Sequence, residues 1–256
     1  TRALGQSGIQ APLYMTQNDG TVMRAEFAAE FPIYSFASGP TNSMRGAAFL
    51  TGLNDGIVID VGGTTTDVGV LQAGFPREAN NVVEIGGVRT LFRMPDLLSV
   101  GLGGGSVVQA GGSSIGPVSV GHRITTEALV FGGDTLTATD VASAAGLIKL
   151  GDTTAVESLE SSVQDAAMSR ISEMVDEAVD RMKVDANPVP LIAVGGAAFL
   201  VPDQLSGISE VIQVEHRGVA NAVGAAIAQV SGEVDQVFTD MGRTAAIEAA
   251  TELAKK

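Results

Sequence analysis

The chain of 256 residues contains no cysteine. That excludes disulfides, thiolate nucleophiles and cysteine-type zinc sites. Histidine occurs only at His122 and His216, so a three-histidine metal centre cannot be assembled. Any metal would rest on carboxylates, hydroxyls and phosphate oxygens, a donor set that favours magnesium or manganese. Positive charge is scarce, with 15 Lys and Arg against 29 Asp and Glu, for a net charge of −14. Such a chain repels a long polyanion, which argues against a nucleic-acid partner. A small phosphate ligand is not excluded, because backbone N–H groups can hold it locally. No run reaches the roughly 18 apolar residues of a membrane helix. The opening Thr1-Arg2-Ala3-Leu4-Gly5 lacks a signal-peptide pattern, so a cytoplasmic location is expected. Because the first residue is not Met and Lys255-Lys256 ends a helical pattern, both ends are expected to continue into a longer protein.

What is present points to a folded chain. Hydrophobic residues make up 45% and charged residues 17%, a globular balance. The length suits one large domain or two small ones. Glycine is abundant, with 32 residues. Clusters at Gly62-Gly63, Gly103-Gly104-Gly105, Gly111-Gly112 and Gly195-Gly196 lie in apolar surroundings, unlike a polar flexible linker. They mark places where backbone turns sharply or approaches something closely.

Periodicity gives the element order. Two strand-like pieces flank the turn signal Asn18-Asp19-Gly20. A helix is expected over residues 41–50, after Ser38-Gly39-Pro40. Ile57-Val58-Ile59 reads as a strand buried on both faces. An extended pattern resumes at Val68, Val70 and Leu71, and a third stretch over residues 82–92 completes a meander. Residues 99–135 read as loops with short strands, and residues 139–150 as a helix. From Val156 to Met182 apolar residues recur every three or four positions, an amphipathic helix packed on a sheet. Pro190 to Val194 is another buried strand, Val211 to Val214 a further one, and residues 218–230 form a small-residue helix. A tail helix follows from Asp240. This order predicts an α/β domain with a mixed sheet.

The segment Asp60-Val61-Gly62-Gly63-Thr64-Thr65-Thr66-Asp67 carries the chemistry. Paired glycines let the chain reverse directly after a strand. Three threonines then offer hydroxyls and backbone N–H groups at the tip, a nest suited to phosphate oxygens. Asp60 and Asp67 flank it and could hold magnesium through water, or orient a water for attack on a phosphoryl group. A P-loop needs a Gly-Lys-Ser/Thr ending and a following helix, and no lysine is present. A Rossmann turn also opens a helix, whereas a strand follows here.

Strand, glycine turn, strand resembles the phosphate hairpin of the actin, sugar-kinase and heat-shock-chaperone superfamily. The order of further motifs resembles the hydantoinase A/5-oxoprolinase family within it. Those motifs are Gln17-Asn18-Asp19-Gly20, Ser38-Gly39-Pro40, Gly46-Ala47-Ala48, Gly103-Gly104-Gly105-Ser106, Gly116-Pro117-Val118-Ser119-Val120-Gly121 and Thr139-Asp140, spanning about residues 10 to 231. The resemblance implies a mixed-sheet, ribonuclease-H-like/actin-like ATPase lobe over residues 42–236, with a helical insertion near residues 152–184. Residues 1–41 become a lead-in from a preceding lobe, and residues 237–256 a C-terminal helix. It assigns catalysis to Asp60 and Asp67, with Asp60 as metal ligand. ATP and Mg2+ are the implied cofactors, contacted by Gly62, Gly63, Thr64, Thr65, Thr66, Gly103, Gly104, Gly195 and Gly196. Asn18, Asp19, Ser38, Ser106 and His122 are the implied substrate residues. Two departures stand out: His122-Arg123-Ile124 replaces the family's Ala-Asp-Pro-Gly-Pro run, and the family's first phosphate loop is absent.

Leu191-Ile192-Ala193-Val194-Gly195-Gly196-Ala197-Ala198 fits the superfamily's adenosine turn, with a helix near Ala197 contributing its positive end. The Gly62-Gly63 and Gly195-Gly196 pairs are expected to face one cleft. The small residues near Gly218 to Val230 are expected to receive the missing lobe. The implied activity is ATP-dependent opening of a cyclic amide, such as a hydantoin or 5-oxoproline, by phosphorylation of its amide oxygen. Ketone carboxylation in the same family is an alternative, as is a non-catalytic actin-like nucleotide-binding protein. The implied partners are an N-terminal lobe of the same protein and a hydantoinase B-type subunit.

Overall fold

The computed structural model describes residues 2–79, 84–85, 87–89, 94–232, 234 and 236–254. Its central sheet grows from β1 (Gly56–Val61), whose near-continuous apolar run is covered on both faces. β2 (Thr66–Gln72) returns antiparallel, pairing Ile59 with Val68, Asp60 with Asp67 and Val61 with Thr66. β3 (Leu97–Val100) pairs antiparallel with the first half of β2, Thr66 opposite Val100 and Asp67 opposite Ser99. The short strand Phe75–Pro76 takes the far end of the same edge, with Phe75 opposite Gln72. On the other side of β1 lies β4 (Val189–Val194), parallel, with Val194 opposite Asp60. β5 (Ile208–Gln213) is parallel to β4 and closes the order β5-β4-β1-β2-β3. An antiparallel meander extended from its first strand by two parallel strands is the expected mixed-sheet, ribonuclease-H-like arrangement.

Side chains alternate between faces along a strand, and this alternation decides where the chemistry lies. Ile57, Ile59 and Val61 point to one face and pack with the long helix Ser161–Met182 through Ala167, Ile171, Val175, Ala178 and Val179. Val58 and Leu71 point to the other, with Ile192 and Val194, against Met44, Ala47 and Ala48 of α1 (Ser38–Thr51) and Ala220 of α2 (Ala220–Ile227). Asp60 therefore belongs to the α1 face. The buried set is aliphatic and small: no aromatic ring is in it among the described residues. Phe27, Phe31 and Tyr34 instead cluster with one another outside the sheet, ring centroids 4.9 to 6.5 Å apart.

Several expectations are corrected. The third meander strand is Leu97–Val100, not residues 82–92, of which residues 82–83, 86 and 90–92 lie outside the described residues. The helix expected over residues 139–150 is confined to Ala138–Ala144, capped by a Thr137/Asp140 box and followed by Gly146 at φ +76°. The amphipathic helix begins at Ser161, because Thr153–Val156 forms a separate 3-10 turn capped by Asp152. The small residues of α2 meet the chain's own α1. A Cβ at Gly46 would lie 1.9 Å from the Ala220 carbonyl oxygen, and one at Gly224 1.8 Å from that of Asn42. Ala220 and Gly224 are therefore covered from within, while Ala222, Ala225 and Ala226 on the opposite side of α2 stay exposed. No helix among the described residues is long and apolar enough to cross a membrane.

Candidate functional site

The hairpin between β1 and β2 turns through residues 62–65, closed by the Gly62 N–H donating to the Thr65 carbonyl at 2.9 Å. Gly63, Thr64 and Thr65 are exposed, and their N–H groups have no acceptor among the described residues. A Cβ on Gly63 would meet nothing within 4 Å. Buried N–H groups are almost always paired, so three free ones suit only an open position facing water or an acceptor. Thr66 is different. It is 0% exposed and its hydroxyl donates to the Leu102 carbonyl at 2.7 Å. It pins the tip from below and does not present its hydroxyl to a ligand.

The second glycine loop forms the floor of the first. The Gly104 N–H donates to the Gly62 carbonyl at 3.0 Å and the Gly105 N–H to the Gly63 carbonyl at 2.7 Å. The Gly103 N–H is held by the Ser106 hydroxyl at 2.8 Å. A Cβ on Gly103 would lie 2.5 Å from the Thr64 nitrogen and 2.6 Å from the Gly63 carbonyl carbon. Backbone rests on backbone here, which only glycine permits. Gly103 and Gly104 thus spend their N–H groups on protein acceptors, and Ser106, 0% exposed, closes the turn from inside rather than reaching a substrate. Thr139 holds the floor in turn, its N–H and hydroxyl both donating to the Gly104 carbonyl.

Asp60 and Asp67 face one another across the hairpin as register partners. Burial pushes the Asp60 carboxyl above its ordinary value. A hydrogen bond from Ser43 acts against that shift and the charge of Asp67 adds to it. Burial likewise raises Asp67, opposed by the hydroxyl of Ser99, which donates to its Oδ1. Both serines went unmarked in the sequence. The alternation rule gives Ser99 once β3 is placed, since it sits opposite Asp67. Two half-buried carboxylates at paired positions of a hairpin could hold a cation between them. Among the described residues no group of three or more His, Cys, Asp or Glu could hold a metal. A pair of carboxylates could hold an ion that keeps waters and takes phosphate oxygens, as magnesium does.

The Gly195-Gly196 turn follows β4 and adjoins the same strand ends. Gly195, at φ +95°, would place a Cβ 2.3 Å from the Asp60 Oδ1 and 2.4 Å from the Val61 carbonyl oxygen. It is bare because Asp60 and β1 occupy that space. Gly196 is exposed, and a Cβ there would meet nothing within 4 Å. The two glycine pairs thus share one end of the sheet. The helix expected near Ala197 is only a 3-10 turn, Ala198–Leu200, too short to offer a helix dipole.

The candidate substrate residues divide. His122 is exposed in the turn Gly121–Arg123, next to the tip: the Ser119 hydroxyl donates to the Gly63 carbonyl at 3.3 Å and accepts from the Gly121 N–H at 3.1 Å. Ser38 starts α1, and the neighbouring Gly39 carbonyl accepts from Asn221 of α2 at 2.8 Å. Asn18 and Asp19 line a pocket of about 200 Å³ with Phe75, Pro76 and Met94. Phe75 pairs with Gln72, at the opposite end of β2 from Thr66, about 20 Å away at ~3.3 Å per residue. Asn18 is 5% exposed and its carbonyl accepts from Thr41, while Asp19 caps its own turn through Thr21. These two residues are not gathered with the phosphate-loop residues.

Comparison with known proteins places this geometry. The structure of acetone carboxylase, nucleotide-free and from a study of ATP-dependent acetone carboxylation, matches with a TM-score of 0.74 at 20% identity. The match covers 99% of this chain and 42% of that one. An ATP-dependent caprolactamase from Pseudomonas jessenii matches with a TM-score of 0.61 at 20% identity, covering 99% of this chain and 43% of that one. The chain thus shares their fold and spans less than half of their length. No curated protein sequence matches it. The hydantoinase/oxoprolinase family model matches residues 1–154, more than half of the chain, and with the phosphate-type hairpin and mixed sheet in place, the chain belongs to the hydantoinase/oxoprolinase family.

Proposed function

We propose that this chain is the ATP-binding lobe of an ATP-dependent hydrolase of cyclic amides. The observation that supports it best is the tip: three adjacent N–H groups at residues 63–65 without an acceptor among the described residues, with two half-buried carboxylates at its base. Phosphoryl transfer needs little from a protein besides positioning and charge stabilisation, and these groups offer both. The N–H groups of Gly63, Thr64 and Thr65 bind phosphate oxygens. Asp60 and Asp67 hold magnesium through water and orient the reacting groups. Gly196, exposed and with open space beside it, leaves room for the nucleoside. When bound, magnesium-ATP supplies the phosphoryl group that converts a poor amide electrophile into one that water can attack. His122, exposed beside the tip, is the substrate contact of this scheme.

In this reading a second phosphate loop comes from another lobe, in line with the greater length of the similar solved chains. The test is phosphate release from magnesium-ATP with hydantoin, 5-oxoproline, caprolactam, or a ketone plus bicarbonate. It is run on this chain and on the full-length protein. Stimulation by a cyclic amide in the full-length protein only is the expected result. Stimulation by a ketone with bicarbonate assigns carboxylation instead. Nucleotide binding with no stimulated release assigns a non-catalytic role. Equal turnover by both proteins shows that no second lobe is needed.

A further inference from the structure

Asp67 is tied to the Ser99 hydroxyl, and Asp60 has the Ser43 hydroxyl beside it. Ser43 reaches Asp60 from α1, and it is 1% exposed. A serine inside a helix ordinarily bonds back to the carbonyl four residues earlier, or points to water. Ser43 is buried away from water, on the helix that covers the sheet face carrying Asp60. Ser99 reaches Asp67 from the neighbouring strand, on the same sheet face as Asp60. Asp60, Asp67 and Ser99 form a row across β1, β2 and β3, and Ser43 closes the row from above. Gly195 presses on the Asp60 Oδ1 from the β4 side, so that carboxylate is confined from two directions.

We infer that Ser43 and Ser99 are positioning residues, each fixing one carboxylate of the Asp60–Asp67 pair in the orientation in which the two share a divalent cation. The inference rests on the phosphate-loop reading of the hairpin. Each serine satisfies part of its carboxylate's hydrogen-bonding capacity and leaves the rest for an ion and its waters. An alanine at either position frees a carboxylate to turn away, and rebinding must then restrict it again. Hydrogen-bond partners of metal ligands characteristically contribute about 10–100-fold to metal affinity.

The experiment titrates the full-length protein with Mn2+ by electron paramagnetic resonance, with adenylyl imidodiphosphate saturating. Wild type, Ser43→Ala, Ser99→Ala, Ser43→Thr and Ser99→Thr are compared, with far-ultraviolet circular dichroism to check folding. Each alanine variant is expected to bind Mn2+ about 10-fold more weakly, and each threonine variant, which keeps the hydroxyl, to bind within about two-fold of wild type. Alanine variants that bind Mn2+ within two-fold of wild type overturn the inference and leave the phosphate-loop reading intact. So does equal weakening by alanine and threonine, which marks a packing effect. No Mn2+ binding by wild type with the nucleotide analogue overturns both. Should Ser43→Ala not fold, Ser99→Ala decides the matter alone, because Ser99 lies on an exposed strand position.

Discussion

Two glycine-rich loops meet at one end of the sheet, and they use glycine in opposite ways. In the hairpin tip, Gly63 faces open space and the N–H groups of residues 63–65 remain free. In the floor, the Cβ positions of Gly103, Gly104 and Gly105 are filled by neighbours and their N–H groups are committed to protein acceptors. One loop is bare so that something can arrive, and the other because something is already there. Glycine content cannot separate the two; only the neighbours do. The Gly195-Gly196 turn repeats the contrast within two residues, Gly195 being filled by Asp60 and Gly196 open.

The hardest test of this contrast is Gly103→Ala. Its new methyl would lie 2.5 Å from the Thr64 nitrogen, and backbone cannot yield as a side chain tip does. A loss of about 3 kcal/mol, at the upper end of overpacking costs, is expected in urea unfolding. A loss below about 0.5 kcal/mol would show that the floor is not tightly seated. Thr66→Val comes next. It keeps the shape, removes the hydroxyl and strands the buried Leu102 carbonyl, for an expected loss of about 1–2 kcal/mol.

Asp60→Asn has a smaller effect of opposite sign. The folded-state pKa of Asp60 is raised, so protonation favours the fold. That contribution is fully present below the unfolded carboxylate value and is lost as pH rises through the folded value. At pH 7 the buried charge opposes folding. Asn removes it, so a gain of about 1 kcal/mol in urea unfolding is expected, together with loss of metal-dependent nucleotide binding. The gain should shrink as pH falls toward the carboxylate range, and a gain that grows there would reverse the assignment. Gly63→Ala is the mildest change, with stability within about 0.5 kcal/mol of wild type but weaker nucleotide binding by calorimetry. Unchanged binding in that variant would break the contrast at its open end.

Much of the frame could be read from residue pattern. Ile57-Val58-Ile59, Pro190 to Val194 and the long amphipathic helix carry strong periodic signals, and all lie in the core as expected. β3 was missed because Leu97-Leu98-Ser99-Val100 is only four residues long and sits between Asp96 and a glycine loop. Local pattern does not reveal a strand whose stability comes from pairing with β2. The hairpin and its two aspartates are legible because a glycine turn between two strands is local. The duties of Gly103, Ser106, Thr66 and Gly195 were not, because each depends on contacts far along the chain. Asn18 and Asp19 are implied substrate residues by motif order alone, and order does not fix their distance from the tip.

The aliphatic core has a consequence for how this molecule can be watched. The sequence has no tryptophan, and its two tyrosines are Tyr14 and Tyr34. Tyr14 is 49% exposed, and Tyr34 stacks with Phe27 and meets Phe31 edge-on, away from the sheet. Tyrosine emission therefore reports on residues 14–34, while far-ultraviolet dichroism reports on the sheet and helices. A melt in which the tyrosine emission changes before the backbone signal would show the amino-terminal segment peeling away from an intact sheet, and coincident curves would show one cooperative unit.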